Sequence, residues 1–72
     1  MIHKLVTVVI PCKNEEQYIG KTLQSISKQI GVNKLRVIIA DANSTDDTLK
    51  VIKKHQKRLS NLRIEVIEGG PV

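Results

Sequence analysis

The sequence predicts an α/β domain on a parallel sheet, with the element order β-α-β-α-β and the strand order 3-2-1. Three aliphatic runs of strand length alternate with two segments in which apolar residues recur at helical spacing. Helical crossovers between consecutive strands give parallel neighbours with right-handed connections. If both crossovers step in the same direction, strand three lies at an edge and both helices lie on one face. Tyr18 is the only aromatic among the 72 residues, so we expect an aliphatic core in a single domain.

The first strand and helix are predicted from residues 5–31. Residues 5–10 are apolar on both alternating faces, as in a covered parallel strand, and Pro11 is expected to end that strand because proline cannot donate to a ladder. Asn14 is expected to be the N-cap of helix one, with Gln17 in the capping-box position and Gly31 just after the last turn. The apolar stripe of this helix consists of Ile19, Leu23, Ile26 and Ile30.

The second half repeats the pattern. Residues 35–40 are predicted to form strand two, which ends at Asp41. Ser44 is expected to cap helix two, with Asp46 and Asp47 complementing the helix dipole. Residues 62–67 alternate apolar and charged side chains, which favours an edge strand with one wet face. The inner side of helix two is traced by Leu49, Ile52, Gln56 and Leu59.

This arrangement leaves part of the sheet uncovered. Strands one and two are apolar on both faces, yet both predicted helices lie on the same face, and strand one has no neighbour on its outer edge. Covering that face and edge requires either more chain or a partner. We expect more chain, and a tight or swapped homodimer is the alternative.

Charge and cysteine content bound the partners and the compartment. A net charge of +5 and a pI of about 9.7 suit phosphates, nucleic acid or an anionic membrane surface without choosing among them. The basic side of helix two lacks the interleaved aromatics of single-strand binders, so no nucleic-acid partner is expected. Cys12 is the only cysteine, which favours a reducing compartment. No stretch reads as a signal peptide or a membrane span, so we expect a cytoplasmic protein, with placement at the inner face of a membrane left open.

Two segments should converge at the ligand-binding end of the sheet. In open α/β sheets, ligands bind beyond the carboxyl ends of the strands at the topological switch point, which here lies beside strand one. The segments are residues 11–15 and 41–44. Asp41 could accept hydrogen bonds from a ribose or base, or serve as a local turn residue. The turn after strand one has no glycine, which argues against a dinucleotide fingerprint.

Three further side chains in this region are ambiguous or structural. Lys13 is either a solvated lysine or a phosphate contact, and Glu15 is either dipole compensation or a ligand contact. Cys12 is expected to be a small buried residue rather than a nucleophile. His3 and His55 have no metal-ligand spacing around them and are assigned no role.

At these residues the chain resembles the family-two GT-A glycosyltransferases. Residues 6–16 (Val-Thr-Val-Val-Ile-Pro-Cys-Lys-Asn-Glu-Glu), with Tyr18, Ile19 and residues 23–26, look like the opening of that family. Residues 37–48 are similar to its strand-two signature. The resemblance covers nearly the whole chain, and it implies that residues 1–72 are the N-terminal part of a nucleotide-sugar-binding domain, truncated at its C-terminal end.

The resemblance also implies a function and a set of contacts. The intact protein would transfer a sugar from a nucleotide-diphosphate sugar to an acceptor hydroxyl with inversion, using Mg²⁺ or Mn²⁺. The acceptor is not identified, and neither the metal ligands nor the catalytic base lies within these residues. Two positions depart from the family pattern: Ala42 replaces a second acid and Lys13 replaces an aromatic residue. The nucleotide-binding residues implied by position are Pro11, Cys12, Lys13, Glu15, Asp41 and Ala42.

A second function class stays open beside the enzyme. Because the metal motif is missing and one sheet face is uncovered, the chain could instead be a non-catalytic remnant or an oligomerising α/β module.

Overall fold

The computed structural model of the protein describes residues 7–69, and it contains the predicted elements in the predicted order. Both strand pairs are parallel and the strand order is β1-β2-β3, which confirms the expected 3-2-1 arrangement. In the described part of the chain neither helix is long and apolar enough to cross a membrane. The elements are β1 (Thr7–Cys12), α1 (Ile19–Ile30), β2 (Leu35–Asp41), α2 (Thr48–Arg58) and β3 (Leu62–Glu68).

The core lies between the sheet and the two helices. Val37 and Ile39 of the central strand are fully buried, as are Leu23 of α1 and Ile52 of α2. Side chains alternate between the faces of a strand, so this helix-covered face carries every second residue of β2. The aliphatic core that the composition predicts is therefore present, on one side of the sheet.

The opposite face of the sheet, here called the open face, is exposed to solvent within the described residues. Val9 of β1 is 60% exposed and Ile67 of β3 is 58% exposed. Arg36 and Glu65 form an ion pair on this face. Both helices pack on one face, as expected, and the other face has apolar side chains without a cover.

Pro11 lies inside β1, so the expectation that it ends the strand was wrong. The strand continues to Cys12, and Pro11 is in register with Ala40. The carbonyl of Cys12 accepts a hydrogen bond of 2.9 Å from the N–H of Ala42. Because backbone groups alternate in direction along a strand, the nitrogen of Pro11 points away from β2, where no ladder bond is lost. Residues 5 and 6 of the predicted strand lie outside the described residues.

The starts of both helices differ from the predicted caps. Helix α1 begins at Ile19 after Tyr18, without a side-chain cap, so Asn14 and Gln17 do not cap it. Helix α2 begins at Thr48 after Asp47, so Ser44 is not its cap. The cap-like side chains make hydrogen bonds between the two loops instead.

The other end of α1 agrees better with the prediction. Gly31 follows the last helical residue with φ of 59°, a conformation that favours glycine. The side chain of Asn61, after α2, donates hydrogen bonds to the carbonyls of Ser27 and Gly31 at 2.9 and 2.8 Å. Asn61 therefore satisfies carbonyls at the end of a helix 30 residues earlier in the chain.

Candidate functional site

The two segments singled out in the sequence lie side by side at the carboxyl end of the sheet. Cys12 of β1 and Asp41 of β2 are register partners at the ends of their strands. The loops that follow, residues 13–18 and 42–47, are called here the first and second carboxyl-end loops. These loops lie just beyond the strand ends, where an open α/β fold binds ligands.

Asp41 and Ser44 form the base of the second loop. Asp41 is only 2% exposed, and its two carboxylate oxygens accept hydrogen bonds from the hydroxyl and the N–H of Ser44. The Ser44 oxygen in turn accepts a bond of 2.9 Å from the N–H of Asn14 in the first loop. Of the two readings of Asp41, the geometry favours the turn residue, because its oxygens are occupied within the protein.

Asn14 holds the two loops together from the other side. It has a φ of 50°, and its side-chain oxygen accepts hydrogen bonds from the N–H groups of Thr45 and Asp46, at 2.8 and 3.4 Å. A left-handed conformation is uncommon outside glycine but is tolerated by asparagine. Asn14 is thus an inter-loop connector rather than a helix cap.

Thr48 and Asp46 complete the connection. Thr48 is fully buried, and its hydroxyl oxygen accepts a 2.8 Å bond from the N–H of Glu15 while donating to Asp46. Asp46 also accepts from the N–H groups of Thr48 and Glu16. Desolvation opposes ionisation of Asp46, but these hydrogen bonds outweigh it and hold its pKa below the ordinary value. The sequence pattern did not indicate this contact, because Glu15 and Thr48 are 33 residues apart.

Cys12 points into the core and is unsuited to nucleophilic chemistry. Its residue is 5% exposed and belongs to the core cluster. Burial raises the pKa of its thiol, and the carboxylates of Asp41, Glu15 and Asp46 raise it further. The structure agrees with the expectation of a small buried residue and leaves Cys12 no exposed side chain for a nucleotide contact.

The remaining predicted contact residues differ in accessibility. Pro11 and Lys13 are exposed, while Glu15 and Ala42 are half-buried. Asn43, in the second carboxyl-end loop, is exposed with a φ of 54°. The loops therefore present a rim of accessible groups above a hydrogen-bonded base, and the role of each residue in binding a nucleotide stays a prediction.

Acidic residues concentrate at this end of the molecule. Five of the seven acids in the chain lie in or next to the two carboxyl-end loops. Glu68, the last residue of β3, lies at the same carboxyl end of the sheet. Lys13 is the only cation in these loops. A bound diphosphate would therefore meet a negative field unless a cation accompanied it. The five acids are Glu15, Glu16, Asp41, Asp46 and Asp47.

The described residues do not supply a ligand set for such a cation. Among residues 7–69, no three His, Cys, Asp or Glu side chains are grouped as metal ligands. Asp41 and Asp46, the best placed acids, already accept hydrogen bonds from Ser44, Thr48 and Glu16. The donors present do not fit Mg²⁺ or Mn²⁺, and no metal ligand is assigned among them.

A cavity of about 470 Å³ lies at the opposite end of the fold. It is bordered by the end of α1 and by the loop between α2 and β3, including Asn61. None of the predicted nucleotide contacts lines it. It is a depression beside the Asn61 hydrogen bonds, far from the strand ends where ligands bind in this fold class.

The parallel sheet, one-sided helices and paired carboxyl-end loops define an open α/β domain with its ligand side at the ends of β1 and β2. The chain belongs to glycosyl transferase family 2, which matches residues 7–70. This agrees with the family suggested by residues 6–16 and 37–48.

Three relatives illustrate the range of similar proteins. A poly(ribitol-phosphate) β-N-acetylglucosaminyltransferase, TarS, of Staphylococcus aureus is 36% identical over 69 residues, which cover 90% of this chain and 12% of the relative. A processive diacylglycerol β-glycosyltransferase of Mycoplasma genitalium is 33% identical over 63 residues, covering 88% of this chain and 18% of the relative. A 4,4'-diaponeurosporenoate glycosyltransferase of Staphylococcus aureus is 41% identical over 54 residues, covering 74% of this chain and 14% of the relative. The chain thus spans less than a fifth of the length of these relatives.

Proposed function

We propose that this chain is the nucleotide-binding portion of an inverting glycosyltransferase, which transfers a sugar from a nucleotide-diphosphate sugar to an acceptor hydroxyl. The observation that carries the proposal is the direct hydrogen bonding between the two carboxyl-end loops at the switch point. Asn14, Ser44 and Thr48 fix the base of the loops. A ligand that binds the rim above this base does not have to order two separate loops first.

In this proposal, different residues of the rim contact the phosphate, the nucleobase and the ribose of the nucleotide. Lys13, an exposed residue of the first carboxyl-end loop, meets a phosphate, and it is the only cation within the two loops. Pro11 belongs to the open face of the sheet. Together with the small Ala42, it gives the nucleobase of the donor an apolar surface to lie against. In this proposal Glu15, a half-buried carboxylate of the first loop, accepts a hydrogen bond from a ribose hydroxyl. Asp41 acts indirectly by holding Ser44 and the turn, and Cys12 acts through the backbone bond that joins the two strands.

A divalent metal, Mg²⁺ or Mn²⁺, is part of the proposal for the transfer reaction. When bound, such an ion neutralises the diphosphate leaving group. Residues 7–69 do not fit as ligands of this ion. The excess of acidic over basic residues in the carboxyl-end loops supports a requirement for a cation.

The relatives support sugar transfer but leave the acceptor open. Their names specify three different acceptors: poly(ribitol-phosphate), diacylglycerol and 4,4'-diaponeurosporenoate. Two of the names specify β-linkages, and a β-linked product from an α-linked donor requires inversion. We therefore propose inversion and assign no particular acceptor.

Calorimetry tests the donor. The protein expressed from its natural reading frame is titrated with UDP- and GDP-sugars in the presence of Mn²⁺ or Mg²⁺. We expect one donor to bind, and Lys13→Gln to weaken binding about tenfold, as for a lost charged contact. Lys34→Gln, which removes the same charge at the opposite end, should leave affinity unchanged. The proposal would be contradicted if neither kind of nucleotide sugar gave a heat of binding, or if both variants lost affinity equally.

The anomeric configuration of the product tests inversion. Proton NMR of the first product formed distinguishes a β-linked from an α-linked sugar. With an α-linked donor, we expect the β anomer. An α-linked first product would exclude inversion while leaving donor binding intact.

The second candidate is a non-catalytic module that oligomerises. The exposed Val9 and Ile67 on the open face support it, because apolar surface of this kind favours association. Sedimentation velocity separates the two functions. Self-association that Val9→Lys abolishes, together with no binding of nucleotide sugars, would favour the module over the enzyme.

A further inference from the structure

The basic charge of the chain is concentrated in its two helices. Neither α1 nor α2 contains an acidic residue. Together they carry seven of the 12 Lys and Arg residues, while the rest of the chain carries five cations and all seven acids. The helices are therefore strongly positive, and the remainder of the protein is slightly negative. The seven helical cations are Lys21, Lys28, Lys50, Lys53, Lys54, Lys57 and Arg58.

These seven side chains share one surface. Every one of them belongs to an exposed residue, whereas the buried residues of the helices, Leu23 and Ile52 among them, face the sheet. Both helices lie on the same face of the sheet. The seven cations, called here the basic helix face, therefore form the outer side of the helix layer.

Ordinary helix stabilisation does not account for this charge. Lys28, Lys57 and Arg58 lie in last turns, where cations suit the helix dipole. Lys50 is near the start of α2, where a cation opposes the dipole, and its salt bridge with Asp47 is a long 3.8 Å between exposed side chains. Like charges four residues apart destabilise a helix. Such pairs in α2 are Lys50 with Lys54, Lys53 with Lys57, and Lys54 with Arg58.

We propose that the basic helix face docks on an anionic membrane surface. Clusters of four to eight Lys or Arg residues on one helical face are the pattern that binds anionic lipid head groups. An anionic surface removes the repulsion within α2 and meets all seven cations at once, since it is extended. Neither helix contains Phe, Tyr or Trp, and His55 of α2 is buried, so no ring on this face can stack on nucleobases and a nucleic-acid strand is the weaker fit.

The large exposed apolar side chains lie elsewhere in the described fold. Val9 and Ile67 belong to the open face, and Tyr18 and Val32 flank α1 rather than lie within its outer side. The attachment is therefore electrostatic and peripheral, and it weakens with salt. Docked in this way, the helices and strands lie along the membrane, and the carboxyl-end loops open sideways rather than into the lipid. The inference does not depend on the proposed transferase function.

Vesicle co-sedimentation tests the proposal. The purified protein is mixed with vesicles of phosphatidylcholine alone or of equal parts phosphatidylcholine and phosphatidylglycerol. We expect binding to the anionic vesicles and a steep loss of it on adding salt. Lys53→Gln with Lys57→Gln should lower the partition coefficient about 25-fold, since each cation near an anionic surface contributes about fivefold. Glutamine keeps a good helix former at both positions.

A matched pair of substitutions separates position from net charge. Lys34→Gln with Arg63→Gln removes two positive charges outside the helices. This control should lower the partition coefficient less than threefold. Lys53→Arg with Lys57→Arg should bind as the unmodified protein does, and circular dichroism checks that every variant is folded.

Four results would overturn the proposal. They are equal binding to both kinds of vesicle, binding that does not respond to salt, equal losses in the two double glutamine variants, and binding to DNA or RNA in a gel shift with none to vesicles.

Discussion

The two faces of the sheet are made by the same three strands but differ in environment. On the helix-covered face, Val37 and Ile39 are fully buried among aliphatic side chains. On the open face, Val9 and Ile67 are more than half exposed and the ion pair of Arg36 and Glu65 is accessible. An apolar residue in a strand therefore contributes to stability only where another layer covers it. Matched substitutions on the two faces measure how large this difference is.

The largest difference is expected between two isoleucines. Ile39→Ala should lower the free energy of unfolding by about 3 kcal/mol, because it removes buried methylenes and leaves a cavity. Ile67→Ala makes the same chemical change on the open face and should cost less than about 1 kcal/mol. Urea denaturation of both variants measures the difference. Equal losses would mean that the open face is covered in solution.

Gly20 tests how tightly the covering layer is packed. A methyl group at Gly20 would lie 2.8 Å from a ring carbon of His55 on the facing helix. Gly20→Ala should therefore destabilise the protein by about 2 kcal/mol, although alanine is the better helix former. Ser25→Ala, at an exposed position of the same helix, is the control and should be neutral or stabilising. A stabilised Gly20→Ala variant would show that the helices have room to separate.

Thr48 tests whether the loop connection belongs to the stable part of the molecule. Thr48→Val keeps the shape but leaves the N–H of Glu15 without its acceptor, which should cost about 1–2 kcal/mol. Thr48→Ser retains the hydroxyl and should recover most of the loss. Denaturation midpoints of the two variants decide this, and an unchanged midpoint for the valine variant would contradict the connection.

The smallest effects concern two half-buried carboxylates, those of Glu65 and Asp46. Hydrogen bonding and the charge of Arg36 lower the pKa of Glu65 in spite of desolvation, and the hydrogen bonds described above lower that of Asp46. Because both values are lowered on folding, each contribution is complete above the ordinary value, 4.5 for Glu65 and 3.8 for Asp46, and is lost as the pH falls through the folded value. Asp46→Asn and Glu65→Gln should each reduce the loss of stability that the protein shows as the pH falls.

Salt should separate these two contributions. The Glu65 contribution depends on an exposed ion pair and should fade in concentrated salt, where screening is strong. The Asp46 contribution depends on uncharged donors of Thr48 and Glu16 and should persist. Denaturation midpoints as a function of pH at low and high salt measure both, and equal fading would contradict the distinction.

The element order, strand faces and strand order could be predicted from the sequence because they follow from apolar periodicity. The alternation of residues 62–67 correctly indicated an edge strand with one wet face. The cap at Gly31 was also readable, since a left-handed residue after a helix favours glycine. The position of Pro11 was not, because whether proline costs a ladder bond depends on which way its nitrogen faces.

The loop contacts show why local patterns can mislead. Asn14 and Ser44 have the residue types and spacing of helix caps, yet both hydrogen-bond to the other loop, about 30 residues away. Ser44 bonds Asp41 of its own loop as well. A capping pattern specifies a polar side chain near free N–H groups, but not which loop supplies those groups. That the loops adjoin was predictable from the parallel topology, whereas the saturation of Asp41 by Ser44 required coordinates.

NMR can test directly whether a nucleotide sugar binds at the two carboxyl-end loops. Amide resonances are followed while the UDP- or GDP-sugar that binds in calorimetry is added with Mg²⁺. We expect the amides of Lys13, Ala42 and Asn43 to shift together, while those of Gly31 and Asn61 at the opposite cavity stay in place. Shifts centred on Gly31 and Asn61, with the carboxyl-end loops unchanged, would contradict it.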